Sequence, residues 1–163
     1  MNMNRNFRSS VFLLALSLLT QSCGLFISSN HRTEDYTVLF ADASAGNLEA
    51  VKAAVSKDRS ILKAREWDDA TLLHVAVGQN QKDMAAYLLD EGIDVNVVTK
   101  DGLTPLHMAA QNGNISIARL LLDHKAKINA IDAKSWTPLD RANKWGHPDA
   151  AEFLKQHGGR TGQ

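Results

Sequence analysis

One short stretch recurs along this chain at a fixed spacing, and this repetition restricts the fold more than any other feature. Residues 104–109 (TPLHMA) reappear 33 positions earlier as residues 71–76 (TLLHVA) and 33 positions later as residues 137–142 (TPLDRA). A looser copy covers residues 39–51, provided that its closing loop near Asp58 is one residue longer. A fixed period of this length predicts a stack of similar units, each of which buries its apolar face against its neighbours.

Each unit is predicted to contain two short helices. Thr104 is placed to cap the first helix, and Pro105 occupies the first helical position, where a missing N–H costs nothing. Asn114 is placed to cap the second helix, over residues 115–123. Helices of so few turns are marginal in water alone, so the units need one another. Apolar residues at helical spacing predict the core, namely Leu39, Leu48, Val51, Leu73, Met84, Tyr87, Leu88, Leu106, Ile117, Leu120, Leu121, Leu139, Phe153 and Leu154.

The run Thr-Pro-Leu-His at a period of 33 resembles the ankyrin repeat. The resemblance extends from Tyr36 to Gly159 and implies an all-α repeat solenoid of about four helix–turn–helix units with β-hairpin fingers. Leu72 replaces the motif proline in the second unit, Asp140 replaces a motif histidine in the fourth, and the first unit lacks the motif. Departures in the first and last units are expected, because one face of a terminal unit meets water. The units are predicted at residues 36–67, 68–100, 101–133 and 134–159, with a tail at 160–163.

The same resemblance implies structural roles for the motif residues. In the family the motif histidines, here His74 and His107, hydrogen-bond the motif threonines and tie neighbouring units together. Successive units stand about 8–10 Å apart, too far for these two side chains to share a zinc ion at about 2 Å from each. The residues assigned to the structural motif are Thr71, His74, Thr104, Pro105, His107, Thr137 and Pro138.

No catalytic, cofactor-binding or metal-binding pattern is recognisable in the sequence. The other histidines show no ligand spacing, and no H-E-x-x-H, G-x-S-x-G or phosphate-binding loop is present. Several aspartates, including Asp101 and Asp132, fall at predicted turns, where this residue is favoured for local hydrogen bonding. We therefore expect a protein that is not an enzyme and has no cofactor or metal. A small metal-binding or hydrolytic protein that uses surface His and Asp is the less favoured alternative.

The resemblance also implies a binding surface, because ankyrin proteins bind partners through the hairpin tips and the exposed, concave side of the first helices. The partner-binding residues predicted there are Trp67, Lys100, Asp101, Gln111, Asn112, Lys134, Trp136, Lys144 and Trp145. All three tryptophans of the chain are in this set, and tryptophan is enriched at binding hot spots. The last four residues of the set would form a patch suited to an acidic protein surface. The alternative is that Trp67 and Trp136 pack on a neighbouring hairpin and that Trp145 shields the end of the stack.

The N-terminal segment, residues 1–22, has the pattern of an export signal. Arg5 and Arg8 precede an apolar run at positions 11–19, which is shorter than a helix that crosses a bilayer. The alternative is a short membrane anchor or an uncleaved amphipathic start. Without this segment the 18 basic residues fall to 16 against 18 acidic ones, for a net charge of −2. This balance does not favour a nucleic-acid partner.

Cys23 is the only cysteine in the chain, so it has no partner for an internal disulfide. Its position after the apolar run resembles the lipobox of bacterial lipoproteins, in which the cysteine sulfur receives diacylglycerol and becomes the new N-terminus. Ser22 suits that pattern, whereas Thr20 and Gln21 depart from it. The resemblance implies an outer-membrane lipoprotein; the alternative is cleavage without lipidation to a soluble periplasmic protein. Residues 23–35 would then hold the lipidation site and a flexible tether.

These features predict a monomeric, non-enzymatic binding protein of the bacterial envelope. It would bind one protein partner and contact the membrane only through the lipid anchor. Its role would be protective, as in an immunity protein, or scaffolding. The alternative is an ankyrin effector that acts on host proteins.

Overall fold

The computed structural model describes residues 32–162, and these residues form eight α-helices and one 3₁₀-helix. The helices are α1 (Arg32–Ala45), α2 (Leu48–Lys57), the 3₁₀-helix (Arg59–Lys63), α3 (Leu72–Gly78), α4 (Lys82–Asp90), α5 (Pro105–Gln111), α6 (Ile115–Asp123), α7 (Pro138–Lys144) and α8 (Pro148–Gln156). No residue in this range lies in a β-strand, and the predicted all-α repeat solenoid is confirmed. The predicted export signal and Cys23 lie outside the described residues.

The eight helices form four consecutive pairs arranged in two layers. The first helices of the pairs, α1, α3, α5 and α7, each contact the next in order, and the second helices α4, α6 and α8 do the same in the other layer. The first-helix layer is the more closely packed, and Ala76, Ala109 and Ala142 are fully buried within it. None of the helices described is long and apolar enough to cross a membrane.

The core occupies the space between the two layers. Most of the predicted core residues are buried, including Leu73, Leu106, Ile117 and Leu154, whose side chains are fully enclosed. The exceptions are half-buried against the cluster, namely Leu48, Tyr87 and Leu120. Helices of seven to nine residues are stabilised by this shared burial rather than by their own propensity.

Short hairpin-like turns, which we call fingers, connect the second, third and fourth units to the preceding pair. Each finger closes with one backbone hydrogen bond across five residues, such as Thr99 N to Leu103 O at 3.1 Å. The fourth residue of each has a left-handed backbone, with φ of +73° at Gly102 in the third unit, as in a type I turn followed by a bulge. The predicted β-hairpin fingers are thus present as turns. The three fingers comprise residues 66–70, 99–103 and 132–136.

The first unit differs from the predicted boundaries. Helix α1 begins at Arg32, so residues 32–35, which the sequence assigned to the tether, are helical. This helix has 14 residues, against seven in the first helices of the other units. The longer closing loop predicted near Asp58 contains the 3₁₀-helix, for which Asp58 supplies the cap by accepting from Ser60 N at 2.8 Å.

The residues that follow α8 pack against the fourth unit. Asp140 replaces the motif histidine, and its carboxylate accepts from Thr137 N and Gly162 N, both at 2.8 Å. A carboxylate suits this position because the group facing it is an N–H donor, whereas the inner histidines face a carbonyl acceptor. A Cβ at Gly162 would collide with the Ser135 carbonyl, so the close approach requires glycine. Residues 160–162 of the predicted tail therefore pack on the fourth unit.

We predict that Asp140→Asn lowers the free energy of unfolding by about 1–2 kcal/mol at about pH 7, because a charged acceptor of three hydrogen bonds becomes neutral. Burial raises the pKa of the Asp140 carboxyl, but hydrogen bonds from Thr137 and Gly162 outweigh it and hold the pKa below its ordinary 3.8. The ionised form therefore stabilises the fold above that value, and its contribution is lost as the pH falls through the folded-state pKa. Urea unfolding of the parent and of Asp140→Asn should be measured from acid to neutral pH. The difference between their free energies of unfolding should shrink toward acid pH.

The control is Asp123→Asn, which removes one charge from an exposed residue at the end of α6. A loss of stability at Asp140 that matches this control, or that is constant with pH, would contradict the proposed closing role.

Candidate functional site

Each motif histidine bonds its own unit through one ring nitrogen and the next unit through the other. His74 Nδ1 accepts from Thr71 N at 3.2 Å, and Nε2 lies 3.0 Å from the Leu103 carbonyl oxygen of the next finger. A backbone N–H can only donate, so Nδ1 is the acceptor and Nε2 carries the proton that the carbonyl accepts. His107 repeats the arrangement, with the Trp136 carbonyl oxygen at 3.0 Å.

Burial holds these two histidines in the neutral form. It lowers the pKa of both imidazoles below the ordinary 6.5 and outweighs the opposing effect of the hydrogen bonds to Leu103 and Trp136. Neutral rings with both nitrogens engaged have no remaining site for a ligand. Among the described residues, no group of three or more His, Cys, Asp and Glu side chains is placed to hold a metal ion.

A buried arginine organises the exposed side of the fourth unit. Arg141, on α7, donates from Nε and Nη2 to Asp132 Oδ2 at 3.0 and 2.5 Å, and from Nη1 to Gln111 Oε1 at 2.6 Å. The other carboxylate oxygen of Asp132 accepts from Lys134 N and Trp136 N. Burial raises the pKa of the Asp132 carboxyl, but Arg141 and these N–H groups outweigh it and hold the pKa low. Asp132 and Arg141 therefore form a closed ion pair.

Two tryptophans enclose this arginine. The Trp136 and Trp145 rings meet edge to face, with centroids 6.0 Å apart. The Arg141 guanidinium carbon lies 5.8 Å from the centroid of Trp136 and 5.2 Å from that of Trp145, and Lys134 Nζ lies 5.7 Å from Trp136. These distances are typical of cation–π contacts. Trp136 is half-buried, whereas Trp145 remains 43% exposed, so the cluster is held rigidly and still presents an aromatic surface.

The other predicted binding residues lie on the same face in different settings. Trp67 is 84% exposed at a finger tip, and its carbonyl accepts from Lys100 Nζ in the next finger. Asn112 donates to the Gly78 carbonyl at 3.3 Å. Asp101 uses its carbonyl to accept from Ala133 N at 2.9 Å. Lys144 is exposed beside Trp145. We call the surface made by the three fingers and helices α3, α5 and α7 the concave face.

Sequence reasoning missed two residues of this site. Arg141 was not singled out, and Asp132 was interpreted only as a turn residue. The signal was present in the register of the repeat, because Val75 and Met108 occupy the position of Arg141 in the second and third units. A charge at a position that is apolar in the other units indicates a local partner or a function.

A cavity of about 320 Å³ opens on the concave face between the second and third units. Val75, Leu103 and Met108 provide apolar lining, and Glu66, Asp68 and Asp101 provide carboxylates. Its volume is at the lower end of the roughly 300–1,000 Å³ of small-ligand sites, so it has room for one side chain of a partner.

Comparison with known families agrees with this architecture. The family described as "Ankyrin repeats (3 copies)" matches this chain over residues 11–99 and 91–162, which together cover most of it. The chain belongs to the ankyrin repeat family. Ankyrin repeats are protein-interaction units and are generally not enzymes, so this ankyrin chain contains a protein–protein interaction module.

One curated relative is the palmitoyltransferase akr1 of Schizosaccharomyces pombe. It is 36% identical to this chain over 63 residues, which make up 39% of the chain and 10% of that protein. The similarity therefore concerns a small part of a much longer enzyme.

We predict that Arg141→Met lowers the free energy of unfolding by about 3 kcal/mol, because it leaves the buried Asp132 carboxylate without its cation. The double change Asp132→Thr/Arg141→Met installs the residues of the third unit, Thr99 and Met108, and should recover most of the loss. Urea unfolding of the two single variants and the double variant gives the coupling energy. Additive effects would show that the ion pair is not the organising contact.

Proposed function

We propose that this ankyrin protein acts in the bacterial envelope by holding one protein partner on its concave face, with the fourth unit as the main contact. The observation that carries the proposal is the Trp145 ring, which is 43% exposed and fixed against Arg141 and Trp136. An exposed aromatic side chain that is already immobilised loses little conformational entropy on binding, which is the property of a hot spot.

The charge around this cluster favours an acidic partner surface. Arg141 is neutralised by Asp132 at 2.5 Å. Within residues 32–162, Lys134 and Lys144 form no ion pair and are both exposed, so they supply the net charge of the patch. Positive groups at the rim of an interface steer an oppositely charged partner and set its orientation. Gln111 accepts a hydrogen bond from the Arg141 guanidinium, so it holds this side chain in place instead of contacting the partner directly.

The envelope location is supported by the N-terminal sequence. Arg5, Arg8 and the apolar run at positions 11–19 have the pattern of an export signal, and Cys23 follows at the position of a lipoprotein cysteine. A non-enzymatic binding protein in that compartment would protect the cell by capturing a toxin or hydrolase, or would scaffold an envelope enzyme. Both roles require the same property, namely a stable contact with one protein.

We predict that Lys144→Ala/Trp145→Ala weakens partner binding at least tenfold, because it removes the exposed aromatic anchor and a neighbouring charge. The full chain with a C-terminal tag, expressed with its own N-terminus, would be used to capture proteins from envelope extract. The affinity of the identified partner would then be measured against purified parent and variant.

The matched control is Lys155→Ala, on the exposed side of α8 and away from the concave face. Binding should be unchanged in this control. A partner held equally by the parent and the double variant would contradict the role of the fourth unit.

A separate prediction concerns anchoring. If Cys23 carries diacylglycerol, the parent protein sediments with membranes, because two acyl chains give stable attachment, and Cys23→Ala moves it to the soluble fraction. Mass spectrometry of the mature N-terminal peptide identifies the modification directly. A soluble parent protein with an unmodified thiol at this position would refute lipidation.

A further inference from the structure

The second and fourth units place different residues at equivalent positions of the concave face. Positions that are two repeat periods apart in the sequence are equivalent in these two units. Glu66 in the second unit therefore corresponds to Asp132 in the fourth, so both units have an acid at the start of the finger. The helix position that Arg141 occupies in the fourth unit is Val75 in the second. The second unit thus has the acid without the arginine.

The residues that enclose the arginine are also replaced. Trp136 and Trp145 of the fourth unit correspond to Ala70 and Gln79 in the second. All the second-unit counterparts, Glu66, Ala70, Val75 and Gln79, line the 320 Å³ cavity. The cavity therefore lies where smaller residues replace the tryptophans and the guanidinium of the fourth unit.

Three of the four charged residues that line this cavity are acidic. Glu66 and Asp68 lie on the same finger and line the cavity, and no ion pair of Glu66 is found within residues 32–162. Glu66 is exposed, and partial burial together with the nearby Asp68 raises the pKa of its carboxyl above the ordinary 4.5. Lys100 also lines the cavity, but its ammonium donates to the Trp67 carbonyl at the finger tip.

We propose that this cavity receives an arginine side chain of the protein partner, with its guanidinium held by Glu66 as that of Arg141 is held by Asp132. The inference rests on the proposed function, in that it assumes a protein partner on the concave face. Arginine fits better than lysine because its planar fork can donate two parallel hydrogen bonds to one carboxylate while its stem packs on Val75 and Met108.

The cavity and the patch of Lys134, Trp136, Lys144 and Trp145 together specify the direction in which the partner lies along the concave face. The two sites are separated by about two helix spacings, or about 16–20 Å. An extended segment covers this distance with about five or six residues at about 3.3–3.6 Å each. The partner would therefore present an arginine to Glu66 and acidic residues to Lys134 and Lys144, which fixes its direction along the concave face.

The test uses the ¹⁵N-labelled full chain titrated with N-acetyl-L-arginine amide, followed by NMR of the backbone amides. The neutral isostere N-acetyl-L-citrulline amide is the ligand control. We expect saturable shifts at Val75, Gly78 and Leu103 with arginine, and a dissociation constant at least tenfold higher for citrulline. Glu66→Gln should raise the arginine dissociation constant at least tenfold, whereas Asp123→Asn, which removes an exposed charge elsewhere, should leave it unchanged.

A second variant, Val75→Arg, should fill the cavity from within and abolish arginine binding even though Glu66 is intact. Equal shifts with arginine and citrulline, or undiminished binding to Glu66→Gln or Val75→Arg, would overturn the inference, as would the absence of saturable shifts in the parent. The titration requires no natural partner. It can therefore fail while capture through Trp145 succeeds, and the converse also holds.

Discussion

A neutral imidazole joins each inner unit to the next, and the rest of the structure depends on this link. Helices of seven to nine residues do not persist alone in water. His74 and His107 each accept from a threonine N–H of their own unit and donate to a carbonyl of the following finger. The bonds fix the finger relative to the helix pair before it, and adjacent fingers are further joined by backbone bonds such as Lys100 N to Asp68 O at 2.8 Å. These contacts link the second, third and fourth units, which carry the concave face, to one another.

The units share one backbone arrangement, and their exposed surfaces differ through a few substitutions at equivalent positions. The fourth unit places Arg141 against Asp132 and covers it with two tryptophans, which gives a closed, aromatic and cationic surface. The second unit keeps an acid, Glu66, but has Val75 in place of the arginine, which leaves an open acidic cavity. The same backbone thus carries opposite charge toward its two ends, and this division gives the face a direction that a uniform repeat would lack.

Much of the fold could be predicted from the sequence because the period, the Thr-Pro caps and the apolar spacing all indicate the same units. The candidate site was harder to predict from the sequence. Trp145 could be located from its place after the last residue of α7, but the Arg141–Asp132 pair depends on two residues nine positions apart that meet only after the finger folds back. The helical start at Arg32 was missed because residues 32–35 are polar and show no helical periodicity. The packing of Gly162 on Asp140 was missed because a backbone N–H donor leaves no pattern in the side chains.

The most direct test of the concave face is hydrogen–deuterium exchange of the chain, free and in complex with its captured partner. Slower exchange on binding is predicted at residues 66–70, 99–103 and 132–136 and at the end of α7 near Trp145. The amides of α4, α6 and α8, in the opposite layer, should exchange as they do in the free protein. Protection confined to these second helices, with the fingers unchanged, would contradict the account.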